Sequence, residues 1–227
     1  MALRPVYDSI RNEIGKVFFG QEEVVDLSLA ALFSGGHILL EGVPGTAKTL
    51  FVRTLAAALS MDSSRIQMTP DRLPGDVTGA SIYREDTHSF EFKPGPVFTN
   101  FLLVDEINRA SAKTQSALLE AMQEGAVSDD GISHPLPNPF ILFATQNPVE
   151  QEGTYPLPEA QLDRFMFNVL IRYPDLEDEV RIVESTTGVL GDEPQTVLSR
   201  EDVLAFQGLV REVALHTDVS RHAVALV

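Results

Sequence analysis

The chain has 227 residues, 44% of them hydrophobic and 22% charged, a composition typical of a globular protein. It contains no cysteine, which excludes disulfides, thiolate metal sites and cysteine nucleophiles. Its net charge of −16, without a visible basic cluster, argues against nucleic acid as a partner and favours protein partners. No apolar run approaches the roughly 20 residues of a membrane span, and no export signal is recognisable, so we expect a cytoplasmic protein.

The first half of the chain alternates predicted helices with short apolar strands. In order, apolar spacing predicts helices over residues 3–17 and 21–33, a strand over 37–41, a helix over 50–59 and a strand over 65–68. Prolines and glycines within residues 69–79 predict a loop with at most one helical turn. Alternating apolar residues over 81–92 predict a β-hairpin that turns at Asp86-Thr87-His88.

The second half continues this alternation and then becomes helical. In order, we predict a buried strand over residues 101–104, a helix over 111–123, a hairpin over 127–132, and strands over 140–144 and 166–171. Strands alternating with helices indicate a parallel α/β core. After these come helices over 175–185, over 199–215, and from 220 onward. We therefore predict an α/β domain at residues 1–173 and a helical domain at 174–227.

The strongest chemical signal is a glycine-containing turn between the first strand and its helix. It reads Gly42-Val43-Pro44-Gly45-Thr46-Ala47-Lys48-Thr49, in the strand–turn–helix context that a phosphate-binding loop requires. The glycines allow a tight turn that directs backbone N–H groups at phosphate oxygens. Lys48 is then predicted to reach the β- and γ-phosphates of ATP, and the Thr49 hydroxyl to bind Mg²⁺. The alternative is an ordinary glycine turn.

One position departs from the general pattern of such loops. Ala47 stands where the last glycine is expected. We expect its methyl group to be tolerated if the residue is already helical and its Cβ points away from the phosphates.

Polar side chains follow two further strands. Asp105 and Glu106 come directly after the strand at residues 101–104, at the carboxyl edge where α/β sheets bind ligands. Asp105 is predicted to hold Mg²⁺ and Glu106 to activate the attacking water, unless this strand end simply faces solvent. Asn147 follows the next strand and is predicted to bind the water or the γ-phosphate, unless it only forms the turn before Pro148.

Taken together, these stretches resemble the MoxR family of AAA+ ATPases. The likeness rests on the loop at residues 42–49 and on three further stretches, LVDEINRA at 103–110, ATQNP at 144–148 and LPEAQLDRF at 157–165. It extends from Phe19 to about Tyr173. The resemblance implies a P-loop AAA+ core, in which helices flank a parallel five-stranded sheet with β-hairpin insertions, followed by a small helical lid that looks incomplete here. Ala47 matches the family's own version of the loop.

The resemblance also implies roles for individual residues. Arg164 would be an arginine finger that reaches the γ-phosphate in a neighbouring subunit, although a local ion pair with Asp163 is the alternative. Arg221 resembles the sensor arginine of the lid, in a motif that lacks the family's usual proline. The role of Arg109 stays open. The implied ATP-binding residues at the adenine are Phe19, Gly20 and Gln21, unless this segment is only a helix break at the glycine. Those in and after the loop are Gly42, Val43, Pro44, Gly45, Thr46, Ala47, Lys48, Thr49 and Leu50.

For the whole protein, the resemblance implies a ring, usually a hexamer, that binds ATP and Mg²⁺ between neighbouring subunits. Hydrolysis would drive remodelling or maturation of a protein partner, by analogy one with a von Willebrand factor A domain or a metal-centre enzyme. The two hairpins would grip that partner, unless Phe90 and Phe92 are core residues. Two alternatives stand beside this hypothesis. One is a nucleotide-dependent assembly switch with little turnover, and the other is a DNA-handling AAA+ machine, against which the net charge of −16 argues.

Overall fold

A five-stranded parallel sheet forms the centre of the protein. The computed structural model describes residues 3–42, 45–146, 154–187 and 194–226. The sheet has the order β2-β5-β8-β1-β9, with β1 at Ile38–Glu41, β2 at Ser63–Gln67, β5 at Phe101–Asp105, β8 at Ile141–Gln146 and β9 at Phe167–Leu170. All of its pairings are parallel. The predicted α/β core is therefore confirmed, with the last strand at one edge.

Helices cover both faces of this sheet. They are α1 at Leu3–Ile14, α2 at Glu22–Ser34, α3 at Lys48–Ala58, α4 at Pro74–Thr78, α5 at Ala112–Glu124, α6 at Glu159–Leu162, α7 at Leu176–Thr187, α8 at Arg200–Glu212 and α9 at Thr217–Ala225. A 3-10 turn at Ile107–Arg109 follows β5. Local chemistry sets several boundaries. Ser111 caps the start of α5 through the Thr114 N–H, and Gly35 ends α2 in the left-handed conformation at φ 72°.

Alternation along the strands separates two apolar cores. Ile38 and Leu40 of β1 belong to the core beneath α1, α2, α3 and α8, whereas Leu39 belongs to the core beneath α5. The three inner strands β5, β8 and β1 are buried along almost their whole length. Such continuous apolar runs are what a parallel strand covered on both faces requires.

Two antiparallel hairpins extend from this core, as predicted. One joins β3 at Gly79–Arg84 to β4 at Ser89–Pro94, and the other joins β6 at Ala126–Asp129 to β7 at Ile132–Pro135. They touch each other, because Phe92 stacks on His134 at 3.9 Å between ring centroids. Phe90 is 71% exposed. The interpretation of both phenylalanines as core residues is therefore wrong for Phe90.

The C-terminal helices follow the predicted pattern with shifted boundaries. The predicted capping box is present, with Ser199 accepting from the Asp202 N–H and the Asp202 carboxylate accepting from the Ser199 N–H. α8 ends at Glu212 and α9 begins at Thr217, each three residues before the predicted position. α8 packs on α2 through Phe206 and Phe33, whose ring centroids are 5.8 Å apart. The domain boundary near Tyr173 stays a prediction. None of the helices within the described ranges combines the length and apolarity that crossing a bilayer requires.

His37, directly before β1, is a partly buried histidine held in its neutral form. The Leu142 N–H donates to its Nδ1 at 3.1 Å, and its ring lies 5.9 Å from that of Phe140. Burial lowers the pKa of His37 to about 4, although a hydrogen bond between His37 and the backbone of Met122 by itself raises that pKa. Because Nδ1 must stay an acceptor, protonation of this ring is incompatible with its native contacts.

We predict that His37 makes the stability of the fold depend on pH between about 4 and 6.5. Its pKa in the folded state lies below the ordinary value of 6.5, so the unfolded chain binds more protons in this range. The contribution is complete above pH 6.5 and is lost as the pH falls, by about 2 kcal/mol between pH 7 and pH 5. Urea denaturation at both pH values measures this loss, which should nearly disappear in His37→Gln and persist in the exposed control His222→Gln. An unchanged loss in His37→Gln would contradict the assignment.

Candidate functional site

The carboxyl ends of neighbouring strands open into one polar cleft. β5, β8 and β1 are adjacent and parallel, so the residues that follow them meet at the same edge of the sheet. The cleft has a volume of about 360 Å³. It is lined by Gly42, Gly45, Thr46, Ala47, Lys48, Thr49, Arg65, Gln67, Asp105, Glu106, Thr145 and Gln146. Eight of the 17 predicted site residues are thus brought together, among them Lys48, Thr49, Asp105 and Glu106.

The turn between β1 and α3 places a lysine at the floor of this cleft. Lys48 opens α3, and its Nζ donates to the Gly42 carbonyl at 2.9 Å. Burial lowers the pKa of Lys48, and the nearby charges of Asp105 and Glu106 oppose this effect. Gly42 is required for space, because a Cβ there would lie 2.7 Å from the Ile171 carbonyl oxygen. Val43 and Pro44, which we predicted to bind ATP, lie outside the described residues.

Ala47 does not meet the condition under which we expected its methyl group to be tolerated. It precedes α3 as its N-cap, with φ 57° and ψ 22°, and therefore lies in the left-handed region rather than in the helix. A residue with a Cβ is strained there by roughly 1–2 kcal/mol relative to the right-handed region. The position keeps the backbone geometry that a glycine would adopt without strain.

Both oxygens of the Asp105 carboxylate have protein partners. Arg65 on β2 donates its Nε to Oδ2 at 2.6 Å, and the Thr145 hydroxyl donates to Oδ1 at 3.2 Å. Thr145 lies on β8 and also accepts from the Glu106 N–H at 2.9 Å. The Asp105 side chain is only 13% exposed, so these bonds fix its position at the end of β5.

Glu106 is held in a strained turn at the mouth of the same cleft. Its φ of 56° and ψ of 51° place it in the left-handed region, which is rare for residues other than glycine and often marks a functional site. Its Oε2 accepts from Gln67 Nε2 at 2.8 Å and lies 3.0 Å from Arg109 Nε. Arg109, whose role the sequence left open, thus pairs with the predicted catalytic carboxylate.

Four residues that line this cleft were not predicted from the sequence. Arg65 and Gln67 lie on the edge strand β2, and Thr145 and Gln146 lie at the end of β8. As isolated polar residues, they are indistinguishable from solvent-facing positions. The register reveals them, because Gln67 pairs with Asp105 across β2 and β5. That pairing becomes visible only when the two strands are known to be neighbours.

A second, more apolar cavity of about 160 Å³ adjoins the loop. The segment between α1 and α2 contributes Phe19 and Gln21 to it, α3 contributes Leu50, and α7 contributes Ile182. Gln21 Nε2 donates to the Arg172 carbonyl at 2.6 Å, which fixes this segment. A flat, largely apolar group attached to the phosphates in the cleft could extend into this cavity.

Arg164 lies near the amino ends of the sheet strands, whereas the cleft lies at their carboxyl ends. It precedes β9, whose amino end pairs with Ile38 at the amino end of β1. The loop at residues 42–49 follows the carboxyl end of β1, so the length of a strand, about 10 Å, separates Arg164 from the cleft side of the sheet. The described contacts of Arg164 go to α5, where its Nη1 donates to the Leu119 carbonyl at 3.2 Å and to Gln123 Oε1.

One other predicted side chain, Arg221, does not line the cleft, and another, Asn147, cannot be placed from the described residues. Arg221 on α9 is 79% exposed and lies 4.0 Å from Asp218. Asn147 falls outside the described residues. Their predicted roles therefore stay predictions.

The residues present fit Mg²⁺ bound together with a nucleotide. Thr49 and Asp105 place a hydroxyl and a carboxylate in the same cleft. Within the described ranges, no three or more His, Cys, Asp or Glu side chains are grouped as a metal site of their own. Mg²⁺ differs from metals that need such a group, because it commonly takes one or two protein oxygens and completes its shell with water and phosphate.

Comparisons with known proteins point to one family. Residues 37–167 match the family described as ATPase family associated with various cellular activities (AAA). The chain is 48% identical over 228 residues to the uncharacterized protein YeaC of Bacillus subtilis, covering 99% of this chain and 71% of that protein. It is 47% identical over 215 residues to Chaperone MoxR1 of Mycobacterium tuberculosis, covering 95% of this chain and 57% of that protein.

A more distant relative and a solved structure agree with this result. The chain is 34% identical over 167 residues to Protein MoxR of Methylorubrum extorquens, covering 71% of this chain and 48% of that protein. The crystal structure of a proposed ATPase from Cytophaga hutchinsonii matches with a TM-score of 0.90 and 47% identity. That match covers 99% of this chain and 68% of the other.

The strain at Ala47 leads to a stability prediction. Ala47→Gly should stabilise the nucleotide-free fold by about 0.5–1 kcal/mol, because relief of the left-handed strain exceeds the added entropy of the unfolded chain. The matched control is Ala57→Gly within α3, which should destabilise the fold by about 0.5–1 kcal/mol. Urea denaturation measures both. Equal destabilisation by the two substitutions would show that Ala47 carries no strain.

Proposed function

The chain belongs to the MoxR family of AAA+ ATPases, and from this premise we propose that it hydrolyses ATP between subunits of a ring to remodel a protein partner. The supporting observation is that Lys48, predicted from one stretch of sequence, and Asp105 and Glu106, predicted from another, line one cleft. The chain spans 57% of Chaperone MoxR1, and the activity and partners of the whole protein are part of this proposal.

Binding of ATP would use both cavities. The backbone N–H groups of the loop and the start of α3 would bind the phosphates, with Lys48 contacting the β- and γ-phosphates. The adenine would lie in the 160 Å³ cavity, against Phe19 and Leu50. Mg²⁺, held through Thr49 and Asp105, would neutralise charge on the phosphates.

Hydrolysis would depend on Glu106. Water attacks the γ-phosphorus, its proton passes to the Glu106 carboxylate, and the bond to the bridging oxygen of ADP breaks, which yields ADP and phosphate. In the geometry described above, Gln67 and Arg109 hold the Glu106 carboxylate through one oxygen. The other oxygen is then the one that can face the attacking water. Asn147 would orient that water or the γ-phosphate.

The position of Arg164 supports catalysis between subunits. Because Arg164 lies near the amino ends of the strands, away from its own cleft at their carboxyl ends, it can reach a γ-phosphate only in a neighbouring molecule. This requirement fits a closed ring, and by family analogy a hexamer. Arg221 of the helical lid would supply a further positive charge on the nucleotide, which requires movement of α9 relative to the cleft.

The hairpins supply the surface that we assign to the protein partner. Tyr83 and Phe90 of the first hairpin are 52% and 71% exposed, and Ile132 of the second is 62% exposed. The stack of Phe92 on His134 joins the two hairpins, so they would move together. By analogy, the partner carries a von Willebrand factor A domain or is a metal-centre enzyme. The chaperone name of one relative agrees with remodelling, and we expect it to take place in the cytoplasm.

A slow nucleotide switch is the alternative that one observation favours. Glu106 is restrained by Gln67 and Arg109, and a permanently restrained base would hydrolyse ATP slowly. In that case ATP would control assembly without repeated turnover. The DNA-handling alternative gains no such support, and the net charge of −16 opposes it.

The proposal predicts that two inactive variants restore each other's activity. Glu106→Gln lacks the base but supplies a normal Arg164, whereas Arg164→Met lacks the finger but keeps an intact cleft. Each alone should lose about 100-fold or more in turnover, since both groups act on the transition state. A mixture should regain activity, because an Arg164→Met cleft can receive the arginine of a Glu106→Gln neighbour.

The measurement is ATP turnover per subunit as a function of protein concentration, for each variant and for the mixture. Turnover of the unmodified chain should rise steeply with concentration, and Arg200→Met, which removes an exposed arginine, should behave like it. If turnover is independent of concentration and mixing restores nothing, Arg164 is not a finger. If every variant binds ATP and the unmodified chain does not turn it over, the switch alternative is correct.

A further inference from the structure

We propose that Arg65 is a displaceable counterion of Asp105, which competes with Mg²⁺ for this carboxylate and leaves it when the metal binds. The proposal rests on the proposed function, because it assumes that Asp105 takes part in metal binding. It assigns a positioning role to a residue of the edge strand that neither the sequence motifs nor the catalytic steps above require.

Arg65 reaches away from its own strand neighbour to make this contact. In register it pairs with Leu103, two residues before Asp105 along β5. Its Nε nevertheless lies 2.6 Å from Asp105 Oδ2, which is a short distance for a charge-assisted hydrogen bond. A mostly buried carboxylate needs such partners, so the resting site satisfies Asp105 without a metal.

Of the two partners of Asp105, Arg65 is the one that can leave. Thr145 is buried, with 3% exposed, and its hydroxyl is also bound by the Glu106 N–H. The Arg65 side chain is long and 52% exposed. Ion pairs that reach solvent contribute little free energy, so losing this one costs less than rearranging the threonine. A metal ion or its water therefore gains access through Oδ2.

A groove separate from the cleft and from the apolar cavity offers a place for the displaced side chain. This groove has a volume of about 110 Å³, lies between α3 and β2, and is lined in part by Arg65 itself, Ser63 and Ser64. Serine hydroxyls accept hydrogen bonds from a guanidinium group. Arg65 thus lies between the cleft and this groove, and its guanidinium group can leave Asp105 for the serine hydroxyls of the groove.

The same arginine is connected to the catalytic carboxylate. Its Nη2 donates to Gln67 Oε1 at 3.2 Å, and Gln67 Nε2 donates to Glu106 Oε2 at 2.8 Å. Because an amide has one oxygen and one nitrogen, the bond from Arg65 fixes which end of Gln67 faces Glu106. Departure of Arg65 removes that constraint. Metal binding at Asp105 would thereby loosen the hold on Glu106.

The test is a Mg²⁺ titration of the binding of a fluorescent, non-hydrolysable ATP analogue, which needs no turnover. In Arg65→Met and Arg65→Gln, the Mg²⁺ concentration at half-maximal binding should fall about three- to tenfold, because the competing cation is absent. Arg65→Lys keeps a cation at this position and should remain closer to the unmodified chain. Arg4→Met is the matched control, because it removes an arginine that is paired with a carboxylate, Asp8, outside the cleft.

An unchanged or raised Mg²⁺ midpoint in both Arg65→Met and Arg65→Gln would overturn the proposal. A raised midpoint would show that Arg65 supports the metal site instead of competing for it. The same fall in Arg4→Met would show a general effect of net charge and would also overturn it. If the unmodified chain binds no analogue at any Mg²⁺ concentration, the proposed nucleotide site fails, and the role of Arg65 fails with it.

Discussion

Parallel pairing of the central strands determines where the polar groups of this protein meet. Residues near positions 42, 105 and 145 are far apart in the chain, but β1, β5 and β8 are neighbours that run in one direction. Their carboxyl ends therefore meet, and so do the lysine, carboxylate and hydroxyl groups that follow them. The apolar runs inside the strands keep this arrangement buried and rigid, so that the cleft occupies a fixed edge of the sheet.

The cleft balances its own charges. Arg65 pairs with Asp105, and Arg109 pairs with Glu106. Burial lowers the pKa of Lys48, and the charges of the two carboxylates oppose this lowering only in part. Each of the two carboxylates thus has a cationic partner, in a chain whose net charge is −16. If a nucleotide and metal bind here as proposed, they exchange existing partners and do not fill an unsatisfied pocket.

Sequence patterns predicted the sheet, the hairpins and most of the cleft, because these depend on local periodicity and on motif spacing. The strands at 101–104 and 140–144 could be predicted from apolar runs alone. What escaped prediction depends on contacts between distant segments. The pairing of Gln67 with Asp105 needs the strand order, and the left-handed backbone of Ala47 and Glu106 needs the turn geometry. The partial burial of His37 needs α5 and β8 in place.

Every step of the proposed function requires that this cleft bind the phosphates of ATP. Calorimetric titration of ATP with Mg²⁺ measures this binding, with Lys48→Met compared with Lys113→Met, which removes an exposed lysine on α5. We expect the unmodified chain and Lys113→Met to bind ATP equally, and Lys48→Met to bind it at least about tenfold more weakly, because a charge-assisted contact is lost. Equal affinity of Lys48→Met and the unmodified chain would contradict the account.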